Sequence, residues 1–486
     1  MFQSVTLEEF KKASSSQKRA VVFQEFPCDD ITPIHAFLAL NAKEGAVLLE
    51  SAIKDQDVGR YSLLAIEPFA EFKSKGACSE FVSKNGNSIR QSFPFDHLRS
   101  TIKALRLPLN PHYPPMVGGA IGFATYDAIR LFEEIPDRHA DQHSLPDLFF
   151  FFHTVHIAFD HLNGSLFISV IKELSSDLEK DYAEAIKKIG EIRDILKTPL
   201  KKSKGSSNLL SEFKEDISDD DFCKKVKKAQ EYIRKGDAFQ IVLSRTFNCP
   251  YQAKPFEIYR ALRMANPSPF MFYIETNEFA IAGSSPERLI KVEKGKLHTT
   301  PIAGTRPRSG EDDDKMIKEL QGCPKEEAEH MMLVDLGRND LGIVAEIGTV
   351  RVKELKTVRV FPNVIHLVSQ IEAQLAKEFD ELDALKAVFP AGTLSGAPKI
   401  RAMEIIDELE ESRRGLYGGA ICTIDNNGTL DSCIAIRTAF IKDGIASVRA
   451  GAGIVFDSDP EKEAQETRSK AKGVIKAVNL AMAGVI

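Results

Sequence analysis

Tryptophan is absent from this chain of 486 residues, although 31 phenylalanines and 9 tyrosines are present. The seven cysteines are scattered and form no CxxC pair, which argues against a disulfide framework or a zinc ribbon. No window approaches the ~18 uncharged apolar residues of a membrane span. The N-terminal residues also lack the apolar core of a signal peptide. We therefore expect a cytoplasmic protein with no membrane segment.

A basic excess is also lacking, since 64 Lys and Arg against 70 Asp and Glu give a formal net charge of −6. Nucleic acid and anionic membranes both favour basic partners, so we expect neither as a ligand. The hydrophobic fraction of 43% and the charged fraction of 28% are typical of a folded protein and exclude a disordered or collagen-like chain.

A break in composition at 197–208 divides the chain. This segment is basic, small and almost free of apolar residues, which is typical of an exposed linker. We predict a β-rich N-terminal region over 1–196 and a second region over 209–486. Strands and helices come in clusters rather than in strict alternation, which favours an α+β fold. No GxGxxG or P-loop motif supports a nucleotide-binding fold.

Turn and cap signals predict several elements directly. Asn163-Gly164 lies between two apolar runs and predicts a hairpin turn. Ser218, followed by three aspartates, predicts a helix start, and Gly236 predicts its end. A glycine-rich loop over 389–399 precedes a predicted helix over 400–410, and such a loop either wraps an anion or is a simple turn.

Carboxylates recur at helical spacing in two predicted helices. Glu326 and Glu329 lie three residues apart, and Glu463 and Glu466 repeat that spacing, with Lys470 one turn later. Residues at this spacing share one helix face. Oxygen ligands of this kind are what Mg²⁺ prefers. By spacing alone, however, solvated helices with ordinary salt bridges are the more common interpretation.

A series of short segments, taken in order, resembles the chorismate-utilising enzyme family and, within it, the component I enzymes of anthranilate synthesis. They include Ser-Ser-Pro-Glu-Arg at 284–288, Pro-Ile-Ala-Gly-Thr-Arg at 301–306 and Ile-Ala-Ile-Arg-Thr at 434–438. Further matches lie at 236–240, 329–330, 334–340, 392–399, 431 and 450–453. The N-terminal half matches more thinly, at 48–51, 59–62 and 118–123.

The resemblance implies an α+β chorismate-binding fold, with two antiparallel β-sheets packed as a sandwich and helices on the flanks. It implies that chorismate and Mg²⁺ bind in a cleft, with Glu329 and Glu466 as principal metal ligands. Glu326 and Glu463 are neighbours that bind the ion directly or through water. The residues that match substrate-binding positions are Gln240, Ala303, Gly304, Thr305, Tyr417, Arg437, Gly451, Ala452, Gly453 and Lys470.

Two positions indicate which nucleophile attacks the ring. Family members that use water carry Lys where this chain has Gln240, and an amide cannot act as a base near pH 7. Aminodeoxychorismate synthases carry a nucleophilic Lys where this chain has Ala303. Of the family's nucleophiles, ammonia that attacks the ring directly is then the expected one. By the same resemblance Glu287 matches the general acid, and His366 and Thr393 match residues near the reacting centre. Aminodeoxychorismate synthase component I is the alternative function.

The resemblance also implies partners and regulation. No glutaminase motif surrounds any cysteine, so we expect ammonia from a separate glutamine amidotransferase subunit (component II). Tryptophan is the expected feedback inhibitor, held by the β-rich N-terminal region and a proline-rich segment. The matching inhibitor-binding residues are Glu50, Ser51, Pro269, Phe270 and Met271. A chain that opens the route to tryptophan is then hypothesised to omit that residue so that it can be translated when tryptophan is scarce.

Overall fold

The computed structural model describes residues 3–15, 17–52, 59–108, 110, 112–200, 212–308, 313–360 and 364–484. A 3₁₀ helix spans Tyr126–Leu131. The α-helices are α1 (Leu7–Ser14), α2 (Pro33–Ala39), α3 (Pro94–Leu105), α4 (Leu178–Leu196), α5 (Asp219–Lys235), α6 (Pro255–Ala265), α7 (Asp313–Gln321), α8 (Pro324–Gly342), α9 (Glu381–Val388), α10 (Lys399–Leu409) and α11 (Pro460–Met482). The strands are β1 (Arg19–Pro27), β2 (Val47–Glu50), β3 (Tyr61–Lys75), β4 (Cys78–Ser83), β5 (Ser88–Ser92), β6 (Ala120–Ala124), β7 (Leu148–Asp160), β8 (Ser165–Glu173), β9 (Lys214–Glu215), β10 (Gln240–Pro250), β11 (Phe270–Glu275), β12 (Phe279–Ser285), β13 (Arg288–Glu293), β14 (Lys296–Thr299), β15 (Ile302–Pro307), β16 (Arg351–Val360), β17 (Val364–Gln374), β18 (Gly396–Ala397), β19 (Ala420–Ile424), β20 (Leu430–Ile434), β21 (Thr438–Lys442) and β22 (Ile445–Ile454).

Every pairing between these strands is antiparallel. One layer runs β1-β8-β7-β3-β2-β11-β12-β21-β22-β10, and the other runs β5-β4-β3-β7-β6-β19-β20-β13-β14-β17-β16. The two layers share the long strands β3 and β7, which bend from one layer into the other. A bulge between Pro68 and Ala70 marks that bend in β3.

Aromatic side chains fill the space between the two layers. Phe279 of β12 packs against Phe123 of β6 and Phe149 of β7, each with ring centroids 5.9 Å away. These rings join a core of buried residues that also includes the inner faces of β10, β11 and β22. The predicted α+β sandwich of antiparallel sheets with flanking helices is therefore confirmed, with the addition that the layers share two strands.

The predicted caps and turns are present. The Ser218 side chain accepts a hydrogen bond from the Asp221 amide, and Gly236 ends α5 in the left-handed conformation, with φ of +85°. β7 and β8 form the predicted hairpin around Asn163-Gly164. The helix predicted over 400–410 begins one residue earlier, at Lys399.

Close backbone contacts explain two glycines at the junction of the layers. A Cβ atom on Gly119 would lie 1.9 Å from the Ile424 carbonyl oxygen, and one on Gly122 would lie 1.9 Å from that of Phe149. A side chain at either position would push β6 away from its neighbours, so only glycine fits here.

Strands from both sides of the predicted linker pair with one another, since β2 pairs with β11 and β6 pairs with β19. Helix α4 ends at Leu196, where the linker prediction begins, and 201–208 lies outside the described residues. The division into regions 1–196 and 209–486 stays a prediction. In the part of the chain that is described, no helix has the length and apolar character to cross a bilayer.

Candidate active site

A large cleft of about 650 Å³ opens between α8, α11 and strands β10, β15, β17 and β22. It brings together side chains from distant parts of the chain. Of the residues predicted for catalysis, substrate binding and metal binding, those that line it are Gln240, Glu287, Ala303, Gly304, Glu326, Glu329, His366, Thr393, Tyr417, Arg437, Gly451, Gly453, Glu463, Glu466 and Lys470.

Ala452 of β22 does not line this cleft, although the glycines on either side of it do. Gly451 and Gly453 line it, whereas the side chain of Ala452 is fully buried in a separate apolar cluster beside α5 and α10. Successive residues of a strand point to opposite faces, so Ala452 cannot present its side chain with its neighbours. Thr305 lies in β15, opposite His366 in the strand register.

Glu287 follows β12 and lies in the wall of the cleft. Its Oε1 accepts a hydrogen bond of 3.1 Å from the Thr393 hydroxyl. Burial raises the pKa of Glu287 to about 7, against the smaller lowering effects of Thr393 and the Lys470 charge. The carboxyl is therefore protonated in a large fraction of molecules near neutral pH, as a general acid requires.

Gln240 presents an unpartnered acceptor at the cleft. Its side chain is almost fully buried, and its Oε1 has no hydrogen-bond partner in the described structure. The Nε2 of the same amide packs on Gly453, where an added Cβ would lie 2.4 Å from it. Ala303 contributes only a methyl group. The cleft thus offers a hydrogen-bond acceptor, but no basic amine, at these two positions.

Two cations face the cleft in different ways. Arg437 is held with φ of +51°, a strained conformation for a residue with a side chain, and its guanidinium makes no hydrogen bond or ion pair among the described residues. Lys470 pairs with Glu466 at 2.6 Å and donates to the Gly451 carbonyl at 3.1 Å. An unpaired guanidinium in a cleft suits an anionic ligand, because it can bind a carboxylate through two hydrogen bonds.

The four predicted metal ligands reach the cleft as one pair from each of two helices. Glu326 and Glu329 come from α8, and Glu463 and Glu466 come from α11. Glu326 also pairs with Arg306 at 3.0 Å. No three metal-ligating side chains cluster tightly among the described residues. Four carboxylates with no sulfur or imidazole among them nevertheless form a donor set that fits Mg²⁺.

His366 is oriented by the backbone of β15. Its Nδ1 lies 3.1 Å from the Gly304 carbonyl oxygen. Because a carbonyl only accepts, Nδ1 carries the proton, and Nε2 is the basic nitrogen of the neutral ring. Burial lowers the pKa of His366, so the ring is neutral near pH 7.

A family model for chorismate binding enzymes matches residues 44–476. The chain belongs to the chorismate-binding enzyme family. It is 41% identical over 483 residues to anthranilate synthase component 1 of Acetivibrio thermocellus, covering 97% of this chain and 98% of the relative. The crystal structure of anthranilate synthase component I from Streptococcus pneumoniae aligns with a TM-score of 0.75 at 38% identity, over 87% of this chain and 94% of that one. The menaquinone-specific isochorismate synthase from Escherichia coli has the same fold, with a TM-score of 0.73 at 20% identity, over 97% of this chain and 98% of that one.

A buried charge network supports the cleft of this chorismate-binding enzyme, and the sequence patterns do not predict it. Arg449 lines the cleft and pairs with Glu410 at 2.7 Å. Glu410 also pairs with Arg414 at 2.6 Å and accepts a hydrogen bond from Ser244. The i,i+4 spacing of Glu410 and Arg414 is a sequence signal for one ion pair, but nothing in the sequence shows that Arg449 joins it.

A further cavity of about 390 Å³, here called the β11 cavity, lies away from the large cleft. All five predicted inhibitor-binding residues of this chorismate-binding enzyme line it, namely Glu50, Ser51, Pro269, Phe270 and Met271. Burial raises the pKa of Glu50, whereas Arg263 and the Tyr259 hydroxyl, 2.6 Å away, act in the opposite direction. The β11 cavity thus combines a carboxyl group with an aromatic ring.

Proposed function

We propose that this chain is anthranilate synthase component I, which converts chorismate and ammonia into anthranilate, pyruvate and water. The observation that carries the proposal is the composition of the cleft around Glu287, where Gln240 and Ala303 stand in place of two lysines. The relatives named anthranilate synthase component 1 support the same assignment.

The acceptor at Gln240 suits ammonia as the nucleophile. Ammonia has a lone pair of its own at the moment of attack and needs no base to create one, whereas water needs a base. An N–H of ammonia donates to the unpartnered Gln240 Oε1, which directs the lone pair toward C2 of the ring. Neither Gln240 nor Ala303 removes a proton from water or attacks the ring itself.

Glu287 acts as the general acid in the first stage. Its proton passes to the C4 oxygen as the C4–O bond breaks, and water leaves while the C2–N bond forms. In the second stage the ring loses the proton at C2 and the C3–O bond breaks. The departing enolpyruvate gains a proton at its methylene carbon and becomes pyruvate. The basic Nε2 of His366 is suited to accept a proton in that elimination.

Two kinds of group bind the negatively charged carboxylates of chorismate. Arg437 and Lys470 bind carboxylates of chorismate directly, in a protein whose overall charge is negative. Mg²⁺ is the proposed cofactor, held by Glu329 and Glu466 with Glu326 and Glu463 beside them. When bound, the ion neutralises the carboxylate on the ring and so favours the electron-rich transition state.

A glutamine amidotransferase subunit (component II) supplies ammonia in the cytoplasm. Tryptophan occupies the β11 cavity, where the Glu50 carboxylate pairs with its amino group and Phe270 packs against its ring. Inhibition is then an allosteric coupling between the β11 cavity and the large cleft.

The identity of the reaction products tests the proposed function. Purified protein is mixed with chorismate, ammonium and Mg²⁺, and anthranilate is followed by its fluorescence while pyruvate is measured enzymatically. We expect equal amounts of both, and no anthranilate from glutamine unless the amidotransferase is added. Accumulation of an aminated, non-aromatic chorismate without pyruvate would instead identify aminodeoxychorismate synthase.

A further inference from the structure

A small cavity of about 50 Å³, here called the rear cavity, adjoins the large cleft. Glu287, Thr393 and Leu333 line both spaces and therefore form the wall between them. The other polar residues around the rear cavity are Arg288, Thr299, Thr300 and Asp340. The carboxyl group of Glu287 thus lies between two separate spaces.

An ion pair that the proposed reaction does not use lies at the rear cavity. Asp340 accepts a hydrogen bond of 2.8 Å from Lys399, and the two side chains are only 14% and 13% exposed. Lys399 also donates to the Val388 carbonyl at 3.1 Å. An ionised carboxylate has room for several hydrogen bonds, so Asp340 can accept more than the one from Lys399.

The rear cavity is large and polar enough to hold water. A single water needs roughly 10–15 Å³ of such space and two to four polar partners. The hydroxyls of Thr300 and Thr393 and the Asp340 carboxylate are suitable partners. Thr299 and Thr300 are only partly buried, so part of each of these lining residues is exposed to solvent.

The proposed function creates a need for a proton route to Glu287. Glu287 gives up a proton in every turnover and must regain one. Water that reached Glu287 through the large cleft would also reach C2 of the ring, where it competes with ammonia, and a filled cleft excludes it. A path from the other side supplies protons without admitting a second nucleophile.

We propose that the rear cavity is the proton supply of Glu287, with water in it ordered by Asp340 and Thr300. The inference rests on the proposed function. The O–H bond of Glu287 breaks as its proton leaves with the C4 oxygen. The resulting carboxylate takes a proton from water in the rear cavity, and that water regains a proton from solvent. The proton that the newly attached ammonium group loses returns to solvent, so the turnover consumes no net proton. Asp340 and Thr300 are positioning residues, because they act through water on Glu287.

Pre-steady-state kinetics test this role. Enzyme holding chorismate and Mg²⁺ is mixed with ammonium, and anthranilate fluorescence is followed from the first turnover. At a pH where Glu287 is protonated before mixing, we expect Asp340→Asn to give a burst of one anthranilate per site at the wild-type rate. Later turnovers slow by about tenfold, with a larger solvent deuterium isotope effect. Thr300→Val, which keeps the shape but removes the hydroxyl, gives the same pattern more weakly.

Asp335→Asn is the matched control, since it removes the same charge from an exposed position of α8, where Asp335 pairs with Arg338. It is expected to behave as the wild type. The inference is overturned if both cavity variants slow the burst and the later turnovers equally, or if neither variant slows them. In that case anthranilate from the wild type still upholds the proposed function. A wild type that makes no anthranilate overturns the proposed function and this inference with it.

Discussion

Phe270 and Ser285 lie opposite each other in the β11–β12 pair, and this pairing connects the β11 cavity to the large cleft. Phe270 lines the β11 cavity, and Ser285 ends β12 two residues before Glu287. The Arg288 guanidinium also lies 5.3 Å from the centre of the Phe270 ring. One strand pair and one cation–π contact therefore link Phe270 to the part of the chain that carries Glu287.

Loss of the Glu50 carboxylate is expected to relieve the proposed inhibition by tryptophan. Glu50→Gln keeps the shape but removes the charge that is proposed to pair with the amino group of the inhibitor, so we expect at least about tenfold more tryptophan to be needed for half-inhibition. The rate without tryptophan stays at the wild-type level. Glu275→Gln is the control, because Glu275 ends the neighbouring strand β11 and does not line the β11 cavity. Calorimetry checks reciprocity, since chorismate must weaken tryptophan binding by the factor that tryptophan weakens chorismate binding.

Replacement of the Glu287 carboxyl group by an amide is expected to abolish the first stage of the reaction, in which ammonia adds to the ring. Glu287→Gln retains the contact with Thr393 but cannot donate a carboxyl proton, so kcat falls by at least about a hundredfold. Glu278→Gln, in the exposed β11–β12 turn, is expected to have no effect. The readout is anthranilate fluorescence at saturating chorismate, with chorismate binding measured separately to show that the cleft is intact.

The raised pKa of Glu287 also predicts the pH profile. Because the protonated carboxyl is the reactive form and its pKa is about 7, turnover is expected to fall as pH rises through about 7. Below that pH we expect a constant rate until His366, whose pKa is lowered by burial, becomes protonated. The assay holds the concentration of unprotonated ammonia constant, so that the supply of the nucleophile does not mask the trend. A rate that rises with pH throughout contradicts the role of Glu287 as an acid.

A methyl group at Gly453 is expected to displace the amide of Gln240. The added Cβ of Gly453→Ala would lie 2.4 Å from the Gln240 Nε2, so the side chain must move away from its place at the cleft. We expect kcat/KM for ammonia to fall between about tenfold and a hundredfold, with little change in Mg²⁺ binding. Gly342→Ala, where nothing lies within 4 Å of the added Cβ, is the matched control. Unchanged kinetics for ammonia would show that Gln240 does not bind the nucleophile.

Charge removal at either proposed metal ligand is expected to abolish Mg²⁺ binding. Glu329→Gln and Glu466→Gln replace a strong oxygen ligand for Mg²⁺ with a neutral amide, while each keeps its helix intact. Titration calorimetry with Mg²⁺ in the presence of chorismate measures the loss, and circular dichroism verifies the fold. Glu327→Gln is the control, since Glu327 lies on the exposed side of α8 and pairs with Lys356. Tight Mg²⁺ binding by both ligand variants would refute the assignment.

Local signals in the sequence predict local structure well. Ser218 and Gly236 mark the ends of α5 because a hydroxyl cap and a left-handed glycine act within one turn of the chain. The Asn163-Gly164 hairpin follows from the same kind of local preference. The spacing of Glu326 and Glu329 predicts a shared helix face, but it cannot show that the carboxylates of α11 line the same cleft.

Neighbouring residues can also have unlike surroundings that motifs do not reveal. The segment 450–453 matches as a block, yet Gly453 lines the large cleft while Ala452 is buried in the core, because a strand points successive residues to opposite faces. Arg449 joins Glu410 across elements that only the folded chain brings together. No spacing rule in the sequence encodes such contacts.

The sequence by itself determined the family, the antiparallel α+β class and the residue types at positions 240 and 303, on which the proposed choice of ammonia as nucleophile rests. Those features reside in the identity of residues and in short-range order along the chain. Only the tertiary structure decided that Glu287 is surrounded closely enough for burial to raise its pKa, and that it separates the large cleft from the rear cavity. Desolvation depends on which elements pack around a side chain, and that packing is set by contacts between residues far apart in the chain.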